Sequence, residues 1–363
     1  MKNNEQIKSK RIANQLKRII VGMAFAAFLF GSPAFSAAAG TQSESRGTSS
    51  ANALVKLSHL TGTVLMVSPD DFAFNPETAG SNAFQHKLKD TKSVTEQAMD
   101  QFDSMVSKLE ENGIHVIRLP SRKDIRTPDA VFPNNWFSTH QAADGGTILV
   151  IYPMLTPNRR AEIRVDLVTE FLKKNGFEVN AVVDLSNFTT KDIYLEGTGS
   201  MVLDRVNKVA FGSLSPRTDL KVLNTFCSLL GYRPVAFHTY DQKGKLIYHT
   251  NVIMSVGDDF AVIAADNIKD EKEKAFVLQE LKKLGKKIIR ISPEQVDNMC
   301  GNILELKSED GENIIVMSNT AFDHFTDEQK TELGKSGRIL PMDIHTIEKV
   351  GGGSARCMLG EVF

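Results

Sequence analysis

SMVLDRVNKVAFGSLSP, residues 200–216, holds two β-rich halves, MVLD and VAFGS, on either side of RVNK, a turn-forming group. Two such halves around a short polar turn form an antiparallel hairpin. The stretch that follows, PRTDLKVLNTFCSLLG (216–231), has helical spacing and stops at a glycine, and RPVAFHTY then returns to strand character. One unit therefore reads strand, strand, helix, strand.

The same order recurs on both sides of this unit. Strand signals stand at TVLMVSP (63–69), TILVIYP (147–153), VIMSVGDDFAVIAAD (252–266) and NILELKSEDGENIIVMSNT (302–320), the last two split by the turn groups GDD and KSEDGEN. Helical patterns follow at 93–113, 158–176, 270–285 and 323–337, each ending at a glycine, and HVIRLP, FEVNAVVDL and KIIRIS supply further strands. Taking Ser68, Pro153, Ser213, Ala265 and Ser318 as equivalent points gives steps of 85, 60, 52 and 53 residues. The last three steps are near a common period, which argues for repeated ββαβ units, here five around a common axis, rather than for a doubly wound sheet. The expected class is α/β, a five-bladed pseudo-symmetric propeller whose strand ends and turns meet at the centre.

The chain has 363 residues, 41% of them hydrophobic, enough for a substantial core. With 43 Lys+Arg against 44 Asp+Glu it has no basic footprint for nucleic acid, which leaves a small molecule as the expected partner. Lys2, Lys8, Lys10, Arg11, Lys17 and Arg18 precede the apolar run Ile19 to Phe30, and SPAFSAAAG follows with small residues. That pattern is a signal peptide over 1–38, too short in its apolar run to span a bilayer comfortably. Its removal takes six of the basic and one of the acidic residues and moves the net charge from -1 to -6. Residues 39–56 read as a flexible leader, and 57–363 as one catalytic domain. The expected location is periplasmic or secreted, with no stable membrane insertion after cleavage; a homo-oligomer is compatible with the sequence.

Residues that break the pattern gather beside the strand ends. DAVFPNNWFSTH (129–140) brings Asn134, Asn135 and the sole tryptophan, Trp136; YLEGTGSMVLD (194–204) sets Glu196 before Gly197 and Gly199. YHTNVIMSVG (248–257) carries His249 and Asn251, whose spacing of two puts both on one face of a strand. The chain closes on GGGSARCMLGEVF (351–363), with Cys357 behind three glycines. Cysteine, histidine and glutamate together offer a nucleophile, an acid/base partner and an anionic anchor. The three cysteines, Cys227, Cys300 and Cys357, leave at least one thiol free. Cys227 reads as a core residue, and a Cys227–Cys300 disulfide stays open. The remaining histidines have no metal-ligand spacing, and no metal or cofactor is expected.

FPNNW, EGTGSMVLDR, GSLSPRT, HTNV, GNILEL, MSNTAF and GGGSARCMLGE, spread from about Asp129 to Glu361, together resemble the guanidine-modifying (pentein) superfamily. That superfamily includes arginine deiminases, dimethylarginine dimethylaminohydrolases and amidinotransferases, and the likeness is closest to its citrulline-utilisation hydrolase branch. The resemblance implies a five-bladed α/β propeller in which Cys357 is the nucleophile and His249 the general acid/base. It makes Glu196 the carboxylate that grips substrate nitrogens, and Arg217 a clamp on a substrate α-carboxylate. Asn135 and Asn251 fall where relatives carry aspartates. An amide both donates and accepts, so it suits a neutral ureido group better than a permanent cation. Asp129, Asp192 and Asp204 are the carboxylates in reach that would restore negative charge. The implied activity is hydrolysis of a C–N bond in a guanidino or ureido amino acid, citrulline or arginine-like, through a Cys adduct. An amidinotransferase and a catalytically inactive binding protein are the alternatives.

Overall fold

The computed structural model describes residues 60–88 and 93–363. The signal-peptide and leader segments expected over 1–56 lie outside the described residues. Among those described, β1 (Thr63–Val67), β2 (His115–Leu119), β3 (Phe137–Gln141), β4 (Thr147–Ile151), β5 (Val179–Asp184), β6 (Val202–Asp204), β7 (Val209–Ser213) and β8 (Arg233–Phe237) make up the first half of the strand set. The second half is β9 (Met254–Val256), β10 (Phe260–Ile263), β11 (Lys287–Arg290), β12 (Leu304–Lys307), β13 (Asn313–Ser318), β14 (Arg338–Met342) and β15 (Gly360–Val362).

The strands pair into five three-stranded sheets of one design. In the quoted stretch, Val202 faces Phe211 and Asp204 faces Val209 across the β6–β7 hairpin, while β7 runs parallel to β8 after the helix Leu220–Leu230. The hairpins β3–β4, β9–β10 and β12–β13 repeat this, each with a parallel third strand. Each third strand needs a helical crossover because a parallel partner cannot follow a tight turn. The five points used to measure the period all lie at, or within two residues of, the C-terminal ends of the central strands β1, β4, β7, β10 and β13.

The first unit departs from the expected ββαβ order. Its antiparallel strand is the last of the chain: β15 pairs with β1, Thr63 facing Val362. The unit is split across the two chain ends, so its last strand ties the C-terminal segment into the first blade and closes the ring. Besides β15, two further strands were not read from sequence. FSTHQ (β3) is polar in four of its five residues, yet all but Gln141 are buried, and RILPM (β14) contains Pro341.

The helices cover the outside of the sheets. Val94–Glu111 buries Ala98, Phe102, Met105, Val106 and Leu109, a single stripe at helical spacing. Cys227 and Cys300 sit in different hydrophobic clusters as free thiols, so they form no disulfide with each other. Burial pushes both thiols up to about 12, which makes them unreactive packing residues.

Candidate active site

Every unit places a short turn immediately before its antiparallel strand, and these turns converge. The 3-10 turn Pro133–Asn135 leads into β3, Gly197–Ser200 into β6, Thr250–Ile253 into β9, the bend ending at Asn302 into β12, and Ala355–Met358 into β15. Each contributes site residues: Asn134 and Asn135, Glu196, His249 and Asn251, Asn302, and Cys357. His249 and Asn251 are not on a strand as the spacing suggested. His249 caps a one-turn helix, and the strand begins only at Met254.

Gly199 shows how tightly the turns meet. A Cβ there would lie 2.4 Å from Asn135 Nδ2 and 2.7 Å from His249 Nδ1, so only hydrogen allows the three units to touch. The glycines before Cys357 serve a similar end. A side chain on Gly351 or Gly353 would strike the Phe132 ring, and Gly352 adopts φ +65°. Ser354 donates to Glu348 Oε1 and Cys357 N–H donates to Ser354 O at 2.9 Å, which fixes the tail in place.

Two hydrogen-bonded groups form the centre. Glu196 Oε2 accepts from His249 Nε2 at 2.8 Å and from Arg217 Nη1 at 3.1 Å, while Glu196 Oε1 accepts from Leu155 N–H at 3.0 Å. Cys357 Sγ accepts from Asn251 Nδ2 and Asn302 Nδ2, both at 3.3 Å. Asn302 Nδ2 also donates to Asn251 O at 2.9 Å, tying the two amides together. Arg217 stacks over Tyr248 with 5.0 Å between guanidinium and ring centroid, and Tyr248 donates to Gly352 O beside the nucleophile's loop.

Burial sets the protonation states. Desolvation opposes ionisation of Glu196, but Arg217, His249 and Arg159 outweigh it and hold the carboxyl well below its usual range. Desolvation lowers His249 to about 4, further than its bond to Glu196 raises it, so the ring is neutral at pH 7. With Nε2 carrying the proton toward Glu196, Nδ1 is left as the basic nitrogen.

Asn135 is buried, but both ends of its amide are engaged: Nδ2 donates to Asn134 Oδ1 and Oδ1 accepts from Arg159 Nη1 at 2.6 Å. Of the three aspartates considered, Asp204 pairs with Lys286 at 3.1 Å and Asp192 lies at the surface against Tyr194. Asp129 is the one buried beside the site, accepting from Asn75 and Thr78. Arg159 and Asn302 were not singled out from sequence. Asn302 stood within the quoted GNILEL; Arg159, in NRRAE, reads like any helical surface residue, though it is buried and paired with Glu162 at 2.9 Å.

Segment 75–86 covers the centre. Arg217 Nη2 donates to Ser81 Oγ at 2.6 Å, Asn82 Nδ2 to Gly351 O at 3.2 Å, and His86 N–H to Lys349 O at 2.8 Å. Glu196, His249, Arg217 and Cys357 are all 3% exposed or less.

The family model for N,N dimethylarginine dimethylhydrolase, eukaryotic, matches residues 68–363. The chain belongs to this dimethylarginine dimethylhydrolase family. Its members sit in the guanidine-modifying pentein superfamily, as the resemblance implied. Among solved structures it is similar to apo ArgZ, an arginine dihydrolase from the ornithine-ammonia cycle in cyanobacteria, at 18% identity and TM-score 0.61. That match covers 83% of this chain but 40% of the longer ArgZ chain. The ArgZ N-terminal domain bound to substrate is covered to 97% with the same TM-score, 18% identity and 83% of this chain. A dimethylarginine dimethylaminohydrolase adduct with S-methyl-L-thiocitrulline is matched at 13% identity over 84% of this chain and 100% of that one, TM-score 0.56. At such identities the likeness establishes the five-bladed fold. No curated protein sequence matches the chain.

Proposed function

We propose that this dimethylarginine dimethylhydrolase-family protein is a cysteine-dependent hydrolase. It cleaves a C–N bond at the guanidino or ureido carbon of an arginine-like amino acid. The observations that carry the reading are the two-amide cradle on Cys357 Sγ and, on the converging turns, a neutral His249 held by Glu196. The sulfur attacks the central carbon, and a C–S bond forms as the bond to the departing amine or ammonia breaks. His249 passes the thiol proton to that leaving group. Water then attacks the same carbon, the C–S bond breaks with its electron pair returning to sulfur, and His249 Nδ1 takes the water's proton. Arg217 stands where it can meet a substrate carboxylate once segment 75–86 lifts away.

Within this class ureido compounds such as citrulline come ahead of guanidinium ones. Glu196 already accepts from Arg217 and His249, and Asn135 and Asn251 carry amides where a cation would draw carboxylates. Purified protein and Cys357→Ser are incubated with arginine, agmatine, methylarginines and citrulline while ammonia, amine and urea products are followed. Turnover by the native protein alone, with a mass increase on Cys357 in quenched samples, supports the reading; a folded native protein inert toward all of them overturns it. A strong arginine preference would remove the ureido assignment, and a new guanidino product on adding glycine or ornithine would indicate transfer to an amine. Export of the mature protein is supported by its basic start and apolar run, and N-terminal sequencing of the processed protein tests it.

A further inference from the structure

Beside Asn251 the ring holds a second, partly open space, a cavity of about 50 Å³ bordered by β6, β9, β12 and β15 through Asp204, Ser255, Glu305 and Glu361. Asn251 belongs to both places. Its Nδ2 donates to Cys357 Sγ, it also lines this cavity, and its buried Oδ1 has no hydrogen-bond partner among the described residues. The buried Ser255 Oγ on the same wall has none either. Buried polar atoms of this kind are satisfied by water where space allows.

Size and charge limit what fits. At roughly 10–15 Å³ for each water centre, the space admits a few water-sized molecules and excludes an amino acid. Most of the charged wall is matched internally, Lys286 with Asp204 at 3.1 Å and Glu361 with Arg205 at 3.2 Å and Arg356 at 2.7 Å, while the buried Arg205 Nη2 has no hydrogen-bond partner among the described residues. Glu305 accepts from Asp258 N–H and Asn313 Nδ2. The lining therefore suits a neutral hydrogen-bonding molecule better than an ion.

We propose that this cavity supplies the water that hydrolyses the Cys357 adduct, with Asn251 Oδ1 as the last acceptor before the reacting carbon. The inference rests on the hydrolase reading above. During the second half-reaction the front of the site holds substrate beneath segment 75–86, so water entering through this cavity reaches the carbon without that cover opening. The water oxygen becomes bonded to carbon, the C–S bond breaks toward sulfur, and the released proton goes to His249.

The test separates the two half-reactions by rapid quench and intact mass of the adduct. Ser255→Leu fills the cavity, and Val206→Trp caps it from the exposed β6–β7 turn, where Val206 also lines it. Both are expected to form adduct within about twofold of the native rate. Adduct decay should slow at least tenfold in Ser255→Leu and in the same direction in Val206→Trp. Native decay in both variants, or formation and decay slowed alike, overturns the proposal; should Ser255→Leu fail to fold, Val206→Trp decides alone. A native protein that forms no adduct and releases no product sinks the hydrolase reading itself, and does so before any variant is compared.

Discussion

Asn302 and Asn251 act on the nucleophile with neutral groups, where a cation is the commoner device. Asn251 Nδ2 and Asn302 Nδ2 both donate to Sγ, so the pair holds the sulfur in one position, and each such hydrogen bond contributes about 1 kcal/mol. Asn302→Ala removes one donor and loosens Asn251, and adduct formation should slow about 10- to 100-fold. Asn302→Asp should slow it more, because it replaces a donor with a negative charge against the attacking sulfur. Rapid-quench mass spectrometry reads both, and a native rate in Asn302→Ala would show the contact to be incidental. His249 gives a pH signature. Its folded value of about 4 lies below the usual 6.5, so the unfolded chain binds that proton first. Its contribution to stability is whole above pH 6.5 and drains as pH falls toward 4, on the order of 3 kcal/mol in full. Glu162 and Glu305, pushed up to about 7 by burial, act in the opposite sense between about 4.5 and 7. The informative quantity is therefore the difference between native and His249→Gln melting curves. The native protein should lose more stability than the variant from pH 6.5 to 4.5, and parallel curves would mean that His249 is not held neutral.

The turns that carry the site are short elements whose geometry depends on what they lack. In Gly197–Ser200, Gly199→Ala would drive a methyl into Asn135 Nδ2 and His249 Nδ1, each pushed by several tenths of an ångström or more. Activity should drop at least 100-fold with the far-ultraviolet circular dichroism unchanged, because misplacement alone is enough to disable a preorganised site; a fully active variant would show that the turns have slack. The same elements explain which features sequence made legible. Central strands announce themselves through runs such as TILVI and NIIVMS, buried on nearly every residue, and their regular period fixed the number of blades. Cys357, His249 and Glu196 stood out because glycines and polar residues interrupted those runs. β3 was hidden because Ser138 and His140 are polar yet buried, satisfied by each other at 2.8 Å and by Tyr152 at 2.6 Å. Arg159 was hidden for a similar reason. Its partners, Asn135 and Glu162, are set by tertiary packing, which local periodicity does not encode.

Closure of the ring decides whether five modest sheets behave as one body. β15 is three residues long, yet it completes the first blade, follows the nucleophile by two residues, and carries Glu361 between Arg205 and Arg356. Thr147 Oγ1 donates to Phe363 O at 2.6 Å, and the Arg205 guanidinium lies 4.1 Å from the Phe363 ring centroid, so the chain terminus is bound by the second and third units as well as the first. Removing one partner of a buried ionic group leaves the others desolvated without compensation, a loss of about 3–5 kcal/mol. Glu361→Ala should accordingly lower the melting temperature by about 6–20 °C, at roughly 2–4 °C per kcal/mol. Deleting residues 360–363 should go further. It leaves Cys357 in the chain but frees the edge of β1, and both the cooperative melt and turnover should be lost together. A truncated protein that still melts in one sharp transition and still forms the Cys357 adduct would mean that the tail only delivers the sulfur and that the ring holds without its last strand.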